Sequence, residues 1–398
     1  LMSKKILIVT ECFYPEEFKI NDIALSWKEK GYDVDVLTLT PTYPLGRVFN
    51  KYKNKFLYKD CYKGINIYRV WAVTGYNDSL FRKLLKYINF MIIGSAVSLA
   101  IGKRYNYIFG FNTGALTSMF PAVLASKVYR VPLTLWVQDV WPDSVYAYGF
   151  KKNKMLSFFL ERLVKKVYCS ANSIAISSKG FEQKIRPYVK REMTLHYLPN
   201  WPDYLDMSID AYKFNDNSRL NFTFAGNIGK IQNLENIITA FSSLPGKYLE
   251  KSQLNIIGDG SDLKRLKTIN NCKNIIFHGK KPRDDMGKYY KGSDFLIVSL
   301  IDKPIFSLTV PAKTQTYIAA KKPILAIING ETAHIVDRYN LGYCAKPNDV
   351  SEIYEIFIKS IDLDNHKLMV FSESSDFLLT NVFNKKKIIN SLEGILIN

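Results

Sequence analysis

Histidine is scarce in this chain and cysteine is scattered. Four histidines occur in 398 residues (His196, His278, His334 and His366), and no set of them has metal-ligand spacing. The five cysteines, Cys12, Cys61, Cys169, Cys272 and Cys344, lie far apart, with no C-x-x-C pair. That excludes a disulfide framework and predicts reduced thiols in a cytosolic protein. No secretory leader is visible, because Lys4 and Lys5 precede only the short run "ILIVT" before charged sequence returns. The longest uncharged run, Tyr87 to Gly102, is sixteen residues broken by Asn89, Ser95 and Ser98, which is short for a bilayer span. No Ser–His–Asp arrangement, strand-end D-x-D or low-complexity segment presents itself. No metal or cofactor is expected.

Acidic residues are also few, and unevenly so. Residues 1–200 hold 30 Lys and Arg against 14 Asp and Glu, and the remainder holds 25 against 22. Nearly all of the net charge of +19 therefore belongs to the first half. Such asymmetry points to nucleic acid or an anionic membrane surface. The basic half carries no nucleic-acid motif, and its aromatics form no stacking pattern. The run Tyr87–Gly102 is flanked by Arg82, Lys83 and Lys86 before it and Lys103 and Arg104 after it. It reads either as a core helix or as one lying on an anionic bilayer.

What is present is a rhythm of apolar β-branched runs alternating with helical patterns. "KKILIVT" (4–10), "DVDVLTL", "INIYRVWA" (65–72), "YIFGF" (107–111), "LTLWVQD" (133–139) and "SIAISS" (173–178) read as buried parallel strands. Helical patterns lie at 21–30, 81–101, 115–128 and 154–170. The rhythm restarts after the proline-marked "YLPNWPDYL" (197–205). Strands follow at 220–226, 253–260, 274–279, 295–300 and 323–330, with helices at 233–243, 261–270, 284–291, 311–320 and 331–338. The fold class is α/β, with two doubly wound Rossmann-like domains at 1–200 and 201–380. A final amphipathic helix (380–398) is expected to pack back on the first domain. Open parallel sheets bind ligands at the carboxyl ends of their strands, so the loops there carry the argument.

In the first domain, "ECFYPEEFKIND" (11–22) places Lys19 and Asn21 near a helix start, where they can meet phosphate or hydroxyls. Asn21 also reads as a simple cap. "QDVWPDS" (138–144) puts Asp139 at a strand end, a candidate acid/base or hydroxyl acceptor. Trp141 reads as a sugar-stacking ring or as core, and Asp143 as acceptor-binding or as a cap. In the second domain, "FAGNIGKIQNLENI" (224–237) turns tightly at Gly226 and Gly229, with Asn227 between them and Lys230 in the turn. Backbone N–H groups plus a lysine make a diphosphate site. The patterns G-x-x-x-x-G-K-[ST] and G-x-G-x-x-G are both absent. Gly258, in "IIGDGSD", marks a further such turn or plain turn chemistry. "LTVPAKTQTYIAA" (308–320) starts a helix with Pro311 at its first position, Lys313 in its first turn, and Thr314 and Thr316 just behind. A cation there costs a few tenths to about 1 kcal/mol, unless an anion binds the helix end.

Taken together, "YPEEFKINDIA" (14–24), "TPTYPLGRVFNKY" (40–52), "LWVQDVWPDSVYAYG" (135–149), "YLPNWPD" (197–203), "FAGNIGKIQNLENIITAF" (224–241), "IIGDGSDLKRLK" (256–267) and "VPAKTQTYIAAKKPILAIINGE" (310–331) give the chain a family likeness. It resembles the family 4 glycosyltransferases of the GT-B fold, nearest the bacterial surface-polysaccharide enzymes related to L-fucosamine transferases. The resemblance implies a UDP-sugar donor on the second domain and a polyprenyl-diphosphate-linked saccharide acceptor on the first. It implies metal-independent transfer, usually retaining, of an N-acetylated amino sugar in O-antigen or capsule synthesis. The expected location is the inner face of the cytoplasmic membrane. Asp139, Lys230 and Lys313 are the expected catalytic residues. Many relatives hold an Arg and a Lys where this chain has Asn227 and Gln232, and two glutamates where it has Leu308 and Thr316. Glu331 is a candidate replacement. The alternatives are a sugar-nucleotide epimerase on the same fold and a non-enzymatic nucleic-acid binder.

Overall fold

The computed structural model describes residues 4–77, 79–147, 150–214 and 219–397. Tyr148 and Gly149, the end of one motif above, lie outside the described residues. The chain divides into two compact units. One runs to Pro199 and takes in the final helix from Lys386; the other is Asn200–Lys385.

Among the described residues, the first unit has an eight-stranded sheet. Its strands are β1 (Lys5–Thr10), β2 (Asp33–Leu39), β3 (Leu57–Tyr62), β4 (Ile65–Val70), β5 (Tyr107–Asn112), β6 (Leu133–Val137), β7 (Ser173–Ile176) and β8 (Leu195–Tyr197). They lie in the order β3-β4-β2-β1-β5-β6-β7-β8. β3 pairs antiparallel with β4; the other pairings are parallel. Helices cover both faces of the central strands, so Ile6, Leu7, Ile8 and Val9 of β1 are fully buried. Each contributes about 1.5–3 kcal/mol relative to exposure. The final helix, Lys385–Ile397, joins this unit through Glu393, which accepts from Tyr32 Oη at 2.9 Å and pairs with Lys30.

The second unit has six parallel strands among the described residues. They are β9 (Leu220–Ala225), β10 (Ser252–Ile257), β11 (Ile275–Gly279), β12 (Phe295–Ser299), β13 (Ile324–Ile327) and β14 (Gly342–Ala345). Their order is β11-β10-β9-β12-β13-β14. Phe222 anchors the core, stacked on Phe295 at 5.1 Å and edge-on to Phe357 at 5.0 Å.

Three strands go beyond the sequence reading: β3, β8 and β14. β3 is an edge strand, exposed and half-buried by turns, so it lacks an apolar run. Helices Val350–Ile361 and Asn365–Asn381 were also unread. The helix expected at 81–101 is composite. α-helical turns at Leu80–Asn89 and Ser95–Ile101 flank a π turn at Phe90–Gly94, where Gly94 comes against Pro121.

Candidate functional site

Each strand order reverses direction once, and there a crevice opens at the carboxyl ends of the strands. In the second unit the reversal lies between β9 and β12. β9 ends in Phe224 and Ala225, and Gly226 follows at φ +143°, open only to glycine without strain. The loop is seated on the β10 turn by backbone bonds: Gly226 N to Ile257 O at 2.9 Å, Ile228 N to Asp259 O at 2.8 Å, and Asp262 N to Ile228 O at 3.0 Å. The backbones approach so closely that a Cβ on Gly258 would stand 1.8 Å from Gly226 O. Gly258 is thus required to support the Gly226 loop.

Lys313 comes to the same place from the other side of the reversal. It lies in the first turn of the helix Ala312–Ala319, whose capping residue is Pro311. Pro311 therefore precedes the first helical position expected for it. The Lys313 Nζ lies 4.1 Å from the Phe224 ring centroid and 3.0 Å from where a Gly226 Cβ would be. Among the described residues no carboxylate pairs with it. Burial lowers its pKa to about 8. Thr314, fully buried beside it, has a hydroxyl with no hydrogen-bond partner among the described residues. The hydroxyl of Thr316 turns back on Ala312 O at 3.2 Å and is spent inside its helix.

Lys230 is placed differently. It opens a single turn, Lys230–Gln232, and is exposed; its charge helps to lower the pKa of Asp262, after the larger effect of Arg265. Lys230 and Lys313 thus stand in different settings, one exposed and the other half-buried. Asn227 and Gln232 bond each other instead of presenting charge. Gln232 Oε1 accepts from Gly229 N at 3.0 Å and from Asn227 Nδ2 at 3.4 Å. Glu331 begins the helix Glu331–Arg338, and its neighbours on both sides touch the segment holding buried Leu308. A Cβ on Gly330 would lie 2.0 Å from Ser307 O, and Thr332 Oγ1 donates to Thr309 O at 3.4 Å. Glu331 thus stands beside the stretch where the relatives' glutamate is replaced.

In the first unit the reversal falls between β1 and β5. Glu11 follows β1, and its Oε1 pairs with Lys86 Nζ at 2.7 Å, both side chains buried. Burial works against the Lys86 ammonium, but Glu11, Cys12 and Tyr76 together outweigh it and the pKa is raised. Gly114, past β5, comes against Glu11 Oε2, 3.5 Å from the position of its Cβ. Asp139 follows β6. Its Oδ1 accepts from Val140 N at 3.0 Å and Ser144 Oγ at 2.6 Å, and its buried Oδ2 has no partner among the described residues. Burial raises its pKa to about 6 against the opposing pull of those bonds and of Lys83. Lys83 lies within the field of Lys86, Glu11 and Asp139, and burial and Lys86 lower its pKa. Glu16, pushed up to about 7 by burial, accepts from Thr42 N at 2.9 Å and Tyr43 N at 2.7 Å.

Several sequence expectations here need correction. Asn21 is inside the helix Lys19–Glu29, whose cap is Phe18, and both ends of its amide are committed: Oδ1 accepts from Tyr14 N at 3.1 Å and Nδ2 donates to Glu16 O at 2.7 Å. It stitches the loop and does not cap the helix. Trp141 is 5% exposed and edge-on to Tyr87, so it is core and presents no face for stacking. Asp143 opens the short helix Asp143–Ala147 and pairs with Lys184 at 2.8 Å. Lys19, half-buried, is the first residue of its helix. Glu11, Glu16, Lys83 and Lys86 were missed. Glu11 carries the signal that singled out Asp139, a carboxylate just after a strand; the others are recognisable only from tertiary contacts.

Residues 209–373 match the family model described as glycosyl transferases group 1. The probable glycosyltransferase WbjE of Pseudomonas aeruginosa is 26% identical over 272 residues, 64% of this chain and 66% of that protein. The matched stretch thus spans just under two thirds of that relative. Among solved structures, Anabaena Alr3699/HepE in complex with UDP-glucose superposes with a TM-score of 0.64 at 13% identity, covering 99% of each chain. WaaG, a glycosyltransferase involved in lipopolysaccharide biosynthesis, gives 0.61 at 14% identity, covering 98% of this chain and 100% of that one. The second unit thus matches the group 1 glycosyl transferases over residues 209–373, and the chain has the GT-B fold.

Proposed function

We propose that the chain transfers a sugar from a UDP-sugar, held on the second unit, to a polyprenyl-diphosphate-linked saccharide taken up by the first. The observation that carries this reading is Lys313, a half-buried ammonium at a helix start, set against a glycine turn with no acid to neutralise it among the described residues. A diphosphate supplies the missing negative charge, and the free N–H groups of the same helix end point to the same anion. As the sugar leaves, charge develops on the diphosphate, and a fixed cation there stabilises the transition state more than the bound donor. No metal enters this account. UDP is favoured because Alr3699/HepE is described in complex with UDP-glucose. A polysaccharide acceptor follows WaaG's stated role in lipopolysaccharide biosynthesis. An N-acetylated amino sugar, retention of configuration, O-antigen or capsule as the product, and a place on the inner face of the cytoplasmic membrane rest on the motif resemblance.

Asp139 completes the reading on the acceptor side. Its unpartnered Oδ2 can accept a hydrogen bond from the attacking hydroxyl, and its pKa of about 6 keeps it ionised at neutral pH while leaving it basic enough to help. The test is a thermal-shift panel of UDP-, GDP- and dTDP-sugars, followed by transfer assays on Lys313→Ala. UDP-sugars should raise the midpoint, and the variant should lose roughly 10² or more in turnover. Near-normal turnover of Lys313→Ala would sink the role of the lysine. UDP-sugar consumption without any acceptor would favour an epimerase.

A further inference from the structure

We propose that the outward face of the helical segment Leu80–Arg104, extended by the start of the helix Lys154–Tyr168, docks in the plane of an anionic lipid bilayer. This rests on the lipid-linked acceptor reading above. Along the first segment Phe81 is 68% exposed, Leu84 42%, Leu85 39%, Ile88 36% and Ile92 60%. Their spacing of three and four residues gathers them into one stripe running through the π turn. By length and composition the whole segment could cross a membrane. Its inner face forbids that, because Lys86 is bound to Glu11, Asn89 Nδ2 donates to Trp71 O at 2.6 Å, and Phe90 is buried. A segment tied down on one side and greasy on the other lies along an interface.

A second ridge reinforces the first. Met155, Phe158 and Phe159 are 71%, 52% and 61% exposed on one face of their helix, with the Arg162 guanidinium 4.4 Å from the Phe158 centroid. Both helices pack on the turn Leu116–Met119. The charge pattern selects the occupant. Residues 79–138 contain no Asp or Glu, and neither do residues 144–160. Arg82 is exposed within the first ridge, and Lys151, Lys152 and Lys154 are exposed at the start of the second. A second copy of the same face would oppose like charges, whereas anionic headgroups complement them.

The experiment is co-sedimentation of the full chain with vesicles of phosphatidylcholine alone or mixed with phosphatidylglycerol. The chain should partition onto the mixed vesicles roughly tenfold more strongly than onto the neutral ones. Phe81→Glu/Leu85→Glu and Phe158→Glu/Phe159→Glu should each weaken that binding roughly tenfold or more, while the UDP-sugar thermal shift stays as in the parent. Equal partitioning of parent and variants overturns the proposal, as does equal binding to both vesicle types. A parent dimer in light scattering that these substitutions dissolve also overturns it, by assigning the stripe to a second copy. A chain that shifts with UDP-sugar but ignores vesicles sinks this inference and leaves the donor reading standing. A chain that binds vesicles yet transfers nothing to a lipid-linked acceptor sinks the acceptor reading alone.

Discussion

The two units place their polar groups at the same point of the same kind of sheet and handle charge in opposite ways. Around the β1/β5 reversal one charge is matched inside the protein, Glu11 on Lys86, and Asp139, after β6, is held by Ser144 and Val140 with Lys83 a lesser pull. At the β9/β12 reversal the loop is almost all backbone and glycine, and Lys313 has no acid partner among the described residues. A self-compensated site is stable without ligand and positions groups for chemistry. A site with an uncompensated cation is completed by its ligand. That difference supports the proposed reading, in which the anionic donor sits on the second unit and the hydroxyl-bearing acceptor on the first.

The largest expected effect tests the acceptor half. Asp139→Asn keeps the size of the side chain and removes its basicity, so turnover should fall by about 10²–10⁴. Binding of UDP-sugar, read by thermal shift, should stay unchanged. A loss of donor binding instead would erase the division between the units. Next in size is the matched ion pair. Lys86→Ala leaves Glu11 buried and unpaired and should cost about 3–5 kcal/mol in chemical denaturation. Replacing both members, as Glu11→Gln with Lys86→Met, should recover much of that. A single-variant cost under about 1 kcal/mol would show that Glu11 finds water or another partner. Smaller again is Gly258→Ala, which presses a methyl group onto Gly226 O and forces a side chain at φ +146°. It should cost about 1–3 kcal/mol and weaken UDP-sugar binding as the Gly226 loop shifts. Unchanged donor affinity would detach that loop from the site.

The sheets were legible because parallel strands buried on both faces read as unbroken apolar runs, as in "ILIVT" and "FLIVS". β3 escaped because "LYKDCY" at a half-exposed edge carries no such run, and β8 and β14 because three and four residues carry too little pattern. Within the site, Lys313 was legible from local physics alone, a cation in the wrong turn of a helix. Asp139 was legible from its strand-end position. Lys86 was not, since an isolated lysine in an apolar helix looks like a solvated flank until the fold sets it on Glu11. Asn21 and Trp141 misled for the same reason. A local motif offers both a structural and a functional role, and the partner that decides between them lies far along the chain.

The smallest effect is graded with pH and sharpens the comparison most. Asp139 must be ionised to accept a proton, and burial sets its pKa at about 6, so kcat/KM should fall tenfold per unit below that value. Lys313 must be protonated to meet the diphosphate, and burial sets its pKa at about 8, so kcat/KM should fall likewise above that value. The profile is therefore a bell between about 6 and 8, one limb from each unit. The two limbs respond differently to bound donor. A diphosphate against Lys313 favours its charged form and raises its pKa, so the alkaline limb of kcat should lie above that of kcat/KM. Asp139 has no such partner in the donor, and the acid limb should stay in place as UDP-sugar saturates. Lys313→Arg, which cannot lose its proton in this range, should remove the alkaline limb and keep the acid one. An alkaline limb that persists in Lys313→Arg would assign that limb to another group and undo the contrast between a compensated acceptor site and a ligand-completed donor site.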